Sequence, residues 1–155
     1  MDVSEFVDNF FNSDKYEKFI IEEVYVVVNL EDLKRVSITD ENLNLAEKIA
    51  FKVNDEFLIF EVNYEYDDIL IIVEKFLPDS FRCFEISSPL TKIVNLGIKR
   101  IYSITNFMGC IDGMKLSIYD PMITSGNDFV LNLTFYSDSS GIFYELRNNG
   151  IDGRF

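Results

Sequence analysis

Ile21-Glu-Glu-Val-Tyr-Val-Val-Val-Asn-Leu30 and, later in the chain, Ile98-Lys-Arg-Ile-Tyr-Ser-Ile-Thr-Asn-Phe107 share one pattern: Ile, Tyr and Asn recur at the same offsets and further positions are apolar in both. Both stretches are β-branched and aromatic and too short for a buried helix, so each reads as a strand. Working outward, Phe51-Lys-Val-Asn-Asp55 lies over Leu116-Ser-Ile-Tyr-Asp120, with Phe57 over Phe129 and Ile59 over Leu131. A period of two is kept, as a strand requires if the same face is to be buried in both copies. The pattern predicts a tandem duplication within one α+β domain over residues 1–155, with repeats at 1–80 and 81–150. Each half reads as a short helix followed by an antiparallel four-strand meander. Such a unit of about 70 residues is marginal alone, so the two are expected to share one core.

Local signals fill in each half. Ser4 ahead of Glu5, Phe6, Val7, Phe10 and Phe11 predicts a helix over residues 4–11. A strand over 20–28 follows, then a polar stretch with a short helix capped near Thr39 and running through Leu43 and Ala46. Residues 49–53 and 57–64 flank Asn54-Asp55-Glu56 as a hairpin, and 69–73 is the next strand. In the second half Ser87-Ser88-Pro89 caps a helix that Gly97 stops, and strands read at 99–105, 114–119, 129–136 and 142–146. Asp112-Gly113 reads as a tight turn and 138–141 as a hairpin turn. The expected core includes Val24 and Val26 or the alternate residues of that strand, with Phe51, Ile59, Ile101, Leu116, Leu131 and Phe143.

Charge divides the halves more sharply than any motif. The chain carries 14 Lys+Arg against 27 Asp+Glu, a formal charge of −13, and residues 1–80 hold 20 of the acids with only 7 bases. One-sided charge makes a directional field, which steers partners of opposite sign and repels phosphate. Fifteen Phe and eight Tyr supply the apolar area of a folded core and exclude whole-chain disorder. No apolar run approaches the ~20 residues of a membrane span and the first ten residues carry acids, so a cytoplasmic location without membrane contact is expected.

Chemistry is thinly represented. There is no histidine, which removes the commonest general base, the commonest metal ligand and the ordinary serine triad. Cys83 and Cys110 stand apart, without metal-ligand spacing, and read as buried free thiols. Residues 106–113 contain two glycines without GxGxxG spacing or a following helix, so no phosphate cradle is expected. The densest acidic cluster is Glu61, Glu65, Asp67 and Asp68, beside Tyr64 and Tyr66. It lacks the ligand spacing of a calcium loop, and a glycosidase pair needs a defined cleft. Acids beside aromatics suit a basic partner, which marks these six residues as the expected partner-binding site. No catalytic residue, cofactor, metal or small-molecule substrate is expected.

A small, acidic, His-free and Trp-free α+β chain resembles the immunity proteins of bacterial contact-dependent growth inhibition and related polymorphic toxin systems. Asn106, Gly109, Asp112 and Gly113 also resemble the strand, Asn-x-x-Gly-x-x-Asp-Gly, strand unit of small bacterial domains, a match over about 60 residues that the first half does not repeat. The resemblance implies tight binding to a toxin domain, often a basic nuclease, with no catalysis by the immunity protein itself. The alternatives drawn from the same charge and repeat are an acidic DNA mimic and a structural or assembly subunit. An enzyme using carboxylate or tyrosine chemistry is the remaining class.

Overall fold

A computed structural model of the protein describes residues 1–11, 19–27, 45–66, 68–79, 81–83, 89–105, 108–109, 111–122, 131–138 and 141–148. Ten strands within it form two five-stranded sheets. Sheet one is built from β1 (Glu23–Val27), β3 (Lys48–Val53), β4 (Glu56–Asn63), β5 (Asp68–Glu74) and β6 (Arg82–Cys83), in the order β5-β4-β3-β1-β6. Sheet two contains β2 (Leu45–Ala46), β7 (Gly97–Thr105), β8 (Ile111–Tyr119), β9 (Leu131–Asp138) and β10 (Gly141–Asn148), in the order β2-β10-β9-β8-β7. Every strand pairing is antiparallel. The described residues are mostly β, and the helix among them is confined to short pieces.

The sheets pack face to face because each strand buries alternate residues toward the other sheet. Phe51 and Phe60 from sheet one meet Phe135 from sheet two, with ring centroids 5.0, 5.1 and 6.1 Å apart in edge-on or tilted arrangements. Leu58, Ile71, Met114, Leu116, Leu133 and Ile142 surround them, all fully buried. The chain is stitched between the sheets as well as packed. Ile20 bridges Gly97 and the Ile98 N–H donates to Phe19 C=O at 2.8 Å in sheet two, yet the Glu22 N–H donates to Lys52 C=O at 2.8 Å in sheet one. Leu45–Ala46 likewise pairs with β10 before β3 begins in the other sheet.

Two meanders run through the sheets, β1-β3-β4-β5 and β7-β8-β9-β10. Their inward registers correspond: Val24 faces Phe51, Phe51 faces Leu58 and Leu58 faces Val73, while Ile101 faces Leu116, Leu116 faces Leu133 and Leu133 faces Leu146. The overlay of Phe51 on Leu116 therefore agrees with the pairing. Ile59 on Leu131 does not, because Ile59 faces outward and Leu131 inward. Phe129 lies outside the described residues.

Several local expectations are corrected. The first helix is α1 (Val3–Phe6), capped by Asp2 rather than Ser4, and it continues as a π-turn over Val7–Phe11. Asp2 Oδ1 accepts from the Glu5 N–H at 2.8 Å, two residues ahead of the expected cap. The helix of the second half is only a 3₁₀ turn, Pro89–Ile93, followed by Asn95 at φ 68°. Leu45–Ala46 is strand rather than helix end, and the polar stretch before it lies outside the described residues. Asp112-Gly113 is inside β8, not a turn; the left-handed residue is Gly109, at φ 85°. Gly113 sits in the strand because a Cβ there would meet the Phe135 carbonyl oxygen. The Asn54-Asp55 turn stands as expected, both residues adopting the positive φ of a two-residue hairpin loop.

Candidate functional site

The outer faces of the two sheets differ in what covers them. On sheet one, Ala50, Ile59 and Phe81 form a second buried cluster, with Tyr25, Val27, Phe57, Ile72 and Leu77 packed around it. β5 and β6 are the opposite edges of this sheet, so the connection between them crosses the face and sets Leu77 and Phe81 down on it. Tyr25 packs edge-on to Phe57 at 6.0 Å, and its hydroxyl donates to Glu23.

The expected partner-binding residues border this face. Glu61 points outward from β4 opposite Lys48, and its Oε2 lies 3.2 Å from Lys48 Nζ. A cross-strand pair of this kind contributes about 0.2–1 kcal/mol and largely neutralises the Glu61 charge. Tyr64, Glu65 and Tyr66 form the tip between β4 and β5, and the two tyrosines are 61% and 68% exposed. The tip is shaped by Asn63, whose Oδ1 accepts from the Glu65 N–H at 3.1 Å while its carbonyl accepts from the Tyr66 N–H at 3.2 Å. Asp68 opens β5 opposite Asn63. Asp67 lies outside the described residues. The structure thus gathers Tyr64, Glu65, Tyr66 and Asp68 at one hairpin end and places Glu61 inside an ion pair on the sheet.

On the outer face of sheet two the described residues form no second buried cluster of that kind; three aromatic residues, Tyr102, Tyr136 and Phe143, are about 40% exposed there, while Ser117 is buried. Strand register arranges the face in rows. Arg100, Ser117, Asn132 and Arg147 stand side by side; the next row is Tyr102, Lys115, Thr134 and Glu145; the third is Ile104, Gly113, Tyr136 and Phe143, extended by Leu45. Arg100 Nη1 is 3.4 Å from the Tyr102 hydroxyl, Ser117 Oγ donates to Asn132 Oδ1 at 3.4 Å, and Arg147 pairs with Glu145. In a strongly acidic chain these three rows carry three cations, Arg100, Lys115 and Arg147, against one acid, Glu145. At its far end Tyr119 lies over Gly97, which leaves no room for a side chain at that glycine.

This face was not anticipated. Phe143 reads as core from its hydrophobicity, but Ile142, Tyr144 and Leu146 are the inward residues of β10 and Phe143 is exposed. A one-residue shift in strand phase reverses every side chain, and the phase is that of the pairing Gly141 with Asp138 and Phe143 with Tyr136, which composition does not fix. The usable signal was β9, where Asn132, Thr134 and Tyr136 alternate with Leu131, Leu133 and Phe135.

Among the described residues no three Cys, Asp or Glu converge as a metal site, and no helix is long and apolar enough to cross a membrane. Cys83 lies in β6, whereas Cys110 is outside the described residues. Among the described residues, the fold is an antiparallel two-sheet protein with one outer sheet face covered by Leu77 and Phe81 and the other presenting partly exposed aromatic residues. The chain belongs to the family described as a family of unknown function, DUF6334, whose model matches residues 8–150. No curated protein and no solved structure matches it.

Proposed function

We propose that the protein is a non-catalytic inhibitor, of the immunity-protein type, that binds a basic protein domain through its acidic first half. The observation that carries this reading is the Tyr64-Glu65-Tyr66 tip, two exposed aromatic residues around an acid in the half that holds the whole excess negative charge. Tyrosines supply contact area at low entropic cost, and the surrounding acids accelerate encounter with a cation-rich surface. A cytoplasmic location accords with this role. We also infer that the two meanders descend from one duplicated unit; the corresponding registers of Val24–Phe51 and Ile101–Leu116 support it.

The test is affinity capture from the native cell, with the parent chain and a variant combining Tyr64→Ala, Glu65→Lys and Tyr66→Ala as parallel baits. The parent is expected to retain a basic protein that salt releases, and the variant to lose it while keeping its fold. Capture of an acidic protein, or equal retention of the basic one by both baits, contradicts the reading.

A further inference from the structure

We propose that β7 pairs with the β7 of a second copy of this chain, antiparallel and across a two-fold axis, so that sheet two runs on from one protomer into the other. β7 is the nine-residue edge strand of that sheet. Its free side is met at the start, by the Ile20–Gly97 bridge and by the Ile98 N–H donating to Phe19 C=O. From Ile101 to Thr105 nothing among the described residues pairs with that side. β5, the edge of sheet one, differs: Met1 sits on it, its nitrogen donating to the Ile71 carbonyl at 3.0 Å and its carbonyl accepting from the Ile71 N–H at 2.8 Å. The far half of β7 is also uncovered on both faces, since Tyr102 is exposed on the outer face and Ser103 and Thr105 on the inner. An edge left bare in this way is a template for another strand.

The stereochemistry of the strand selects the register. Residues whose side chains share a face send their main-chain groups to the same edge. Ile98 is inward and donates to the free side, so the inward residues Ile101, Ser103 and Thr105 aim their N–H and C=O groups there too. A two-fold through Ser103 sets each Ile101 opposite the Thr105 of the second copy and Ser103 opposite itself, which uses all three in about six main-chain bonds. A two-fold through Tyr102 pairs only Ile101 with Ser103 and leaves Thr105 against the bulge at Lys99. The Ser103 register also sets Tyr102 of each copy beside Ile104 of the other on the outer face, an aromatic and β-branched cross-strand pair formed twice. Charge agrees with this arrangement. The acidic excess lies in residues 1–80, and β7 itself carries Lys99 and Arg100 without an acid. The antiparallel pair puts the two Arg100 residues about 20 Å apart along the strands, beyond a Debye length of about 8 Å, whereas a parallel pair would set them side by side.

Sedimentation equilibrium of the full chain tests this, and the parent is expected to form a dimer. Ser103→Pro removes a donor that points to the free edge and leaves the pairing with β8 its bonds, as proline on an edge strand can. Tyr102→Glu with Ile104→Glu sets carboxylates against carboxylates across the axis. Both variants are checked for a native circular dichroism spectrum, and each is expected to weaken the dimer about tenfold or more. In a background without Cys83 and Cys110, Ser103→Cys is expected to form a disulfide-linked dimer on mild oxidation, because residues exchanging both bonds have Cα atoms about 5.5 Å apart. Thr105→Cys is expected to stay monomeric on the gel, its two copies lying about 13 Å apart along the strands. A parent that remains monomeric, a dimer that either folded variant leaves intact, or equal cross-linking at positions 103 and 105 overturns the proposal.

Discussion

The two sheets share an interior and differ at their outer surfaces. Sheet one keeps Ala50 and Ile59 dry by laying Leu77 and Phe81 across its back, whereas sheet two presents Tyr102, Tyr136 and Phe143 to solvent among Arg100, Lys115 and Arg147. The cause is connectivity. The strand after β5 joins sheet one at the opposite edge, beside β1, so the chain has to cross the sheet to reach it. In sheet two β7, β8, β9 and β10 follow one another at neighbouring positions, and no such crossing is needed. The same meander thus yields a closed surface in one half and an open one in the other, according to where the flanking strand joins.

Removing the shared centre breaks the comparison outright. Phe135→Ala takes out the ring that both Phe51 and Phe60 contact, so it should cost about 3–5 kcal/mol and destabilise both sheets in a single transition. Denaturant unfolding followed by fluorescence and by far-ultraviolet circular dichroism checks this, and the two curves should coincide. A matched pair sharpens the comparison. Phe81→Ala should cost about 1.5–3 kcal/mol, the loss of a buried aromatic side chain, and should raise hydrogen exchange in β3 and β4. Phe143→Ala should cost about 1 kcal/mol or less, since that ring is already partly in water.

Much of the fold was legible because it rests on strong local signals. The β-branched runs, the Asn54-Asp55 turn and the burial of Val24, Val26, Phe51, Leu116 and Leu131 follow from period and turn chemistry. Ile59 is buried as expected, but against Phe81 rather than in the central core, and Ile101 is only partly buried. Sheet membership was not legible. β2 and β6 are two-residue strands, and which sheet they join depends on contacts between residues far apart in the chain. The acidic hairpin tip was visible as composition, yet the ion pair that occupies Glu61 depends on register with Lys48. The open face escaped notice because an exposed aromatic and a buried one are the same letter until strand phase is known.

The most direct test of the difference between the faces is thiol accessibility in a background without Cys83 and Cys110. Phe143→Cys on sheet two and Ile59→Cys on sheet one are each reacted with an aromatic disulfide reagent under native conditions. The Phe143→Cys thiol should react at close to the rate of an unhindered thiol, and the Ile59→Cys thiol on the order of 100-fold more slowly, because it must wait for the cover to open. Equal rates, or a slower reaction at position 143, would contradict the account of one covered and one open sheet.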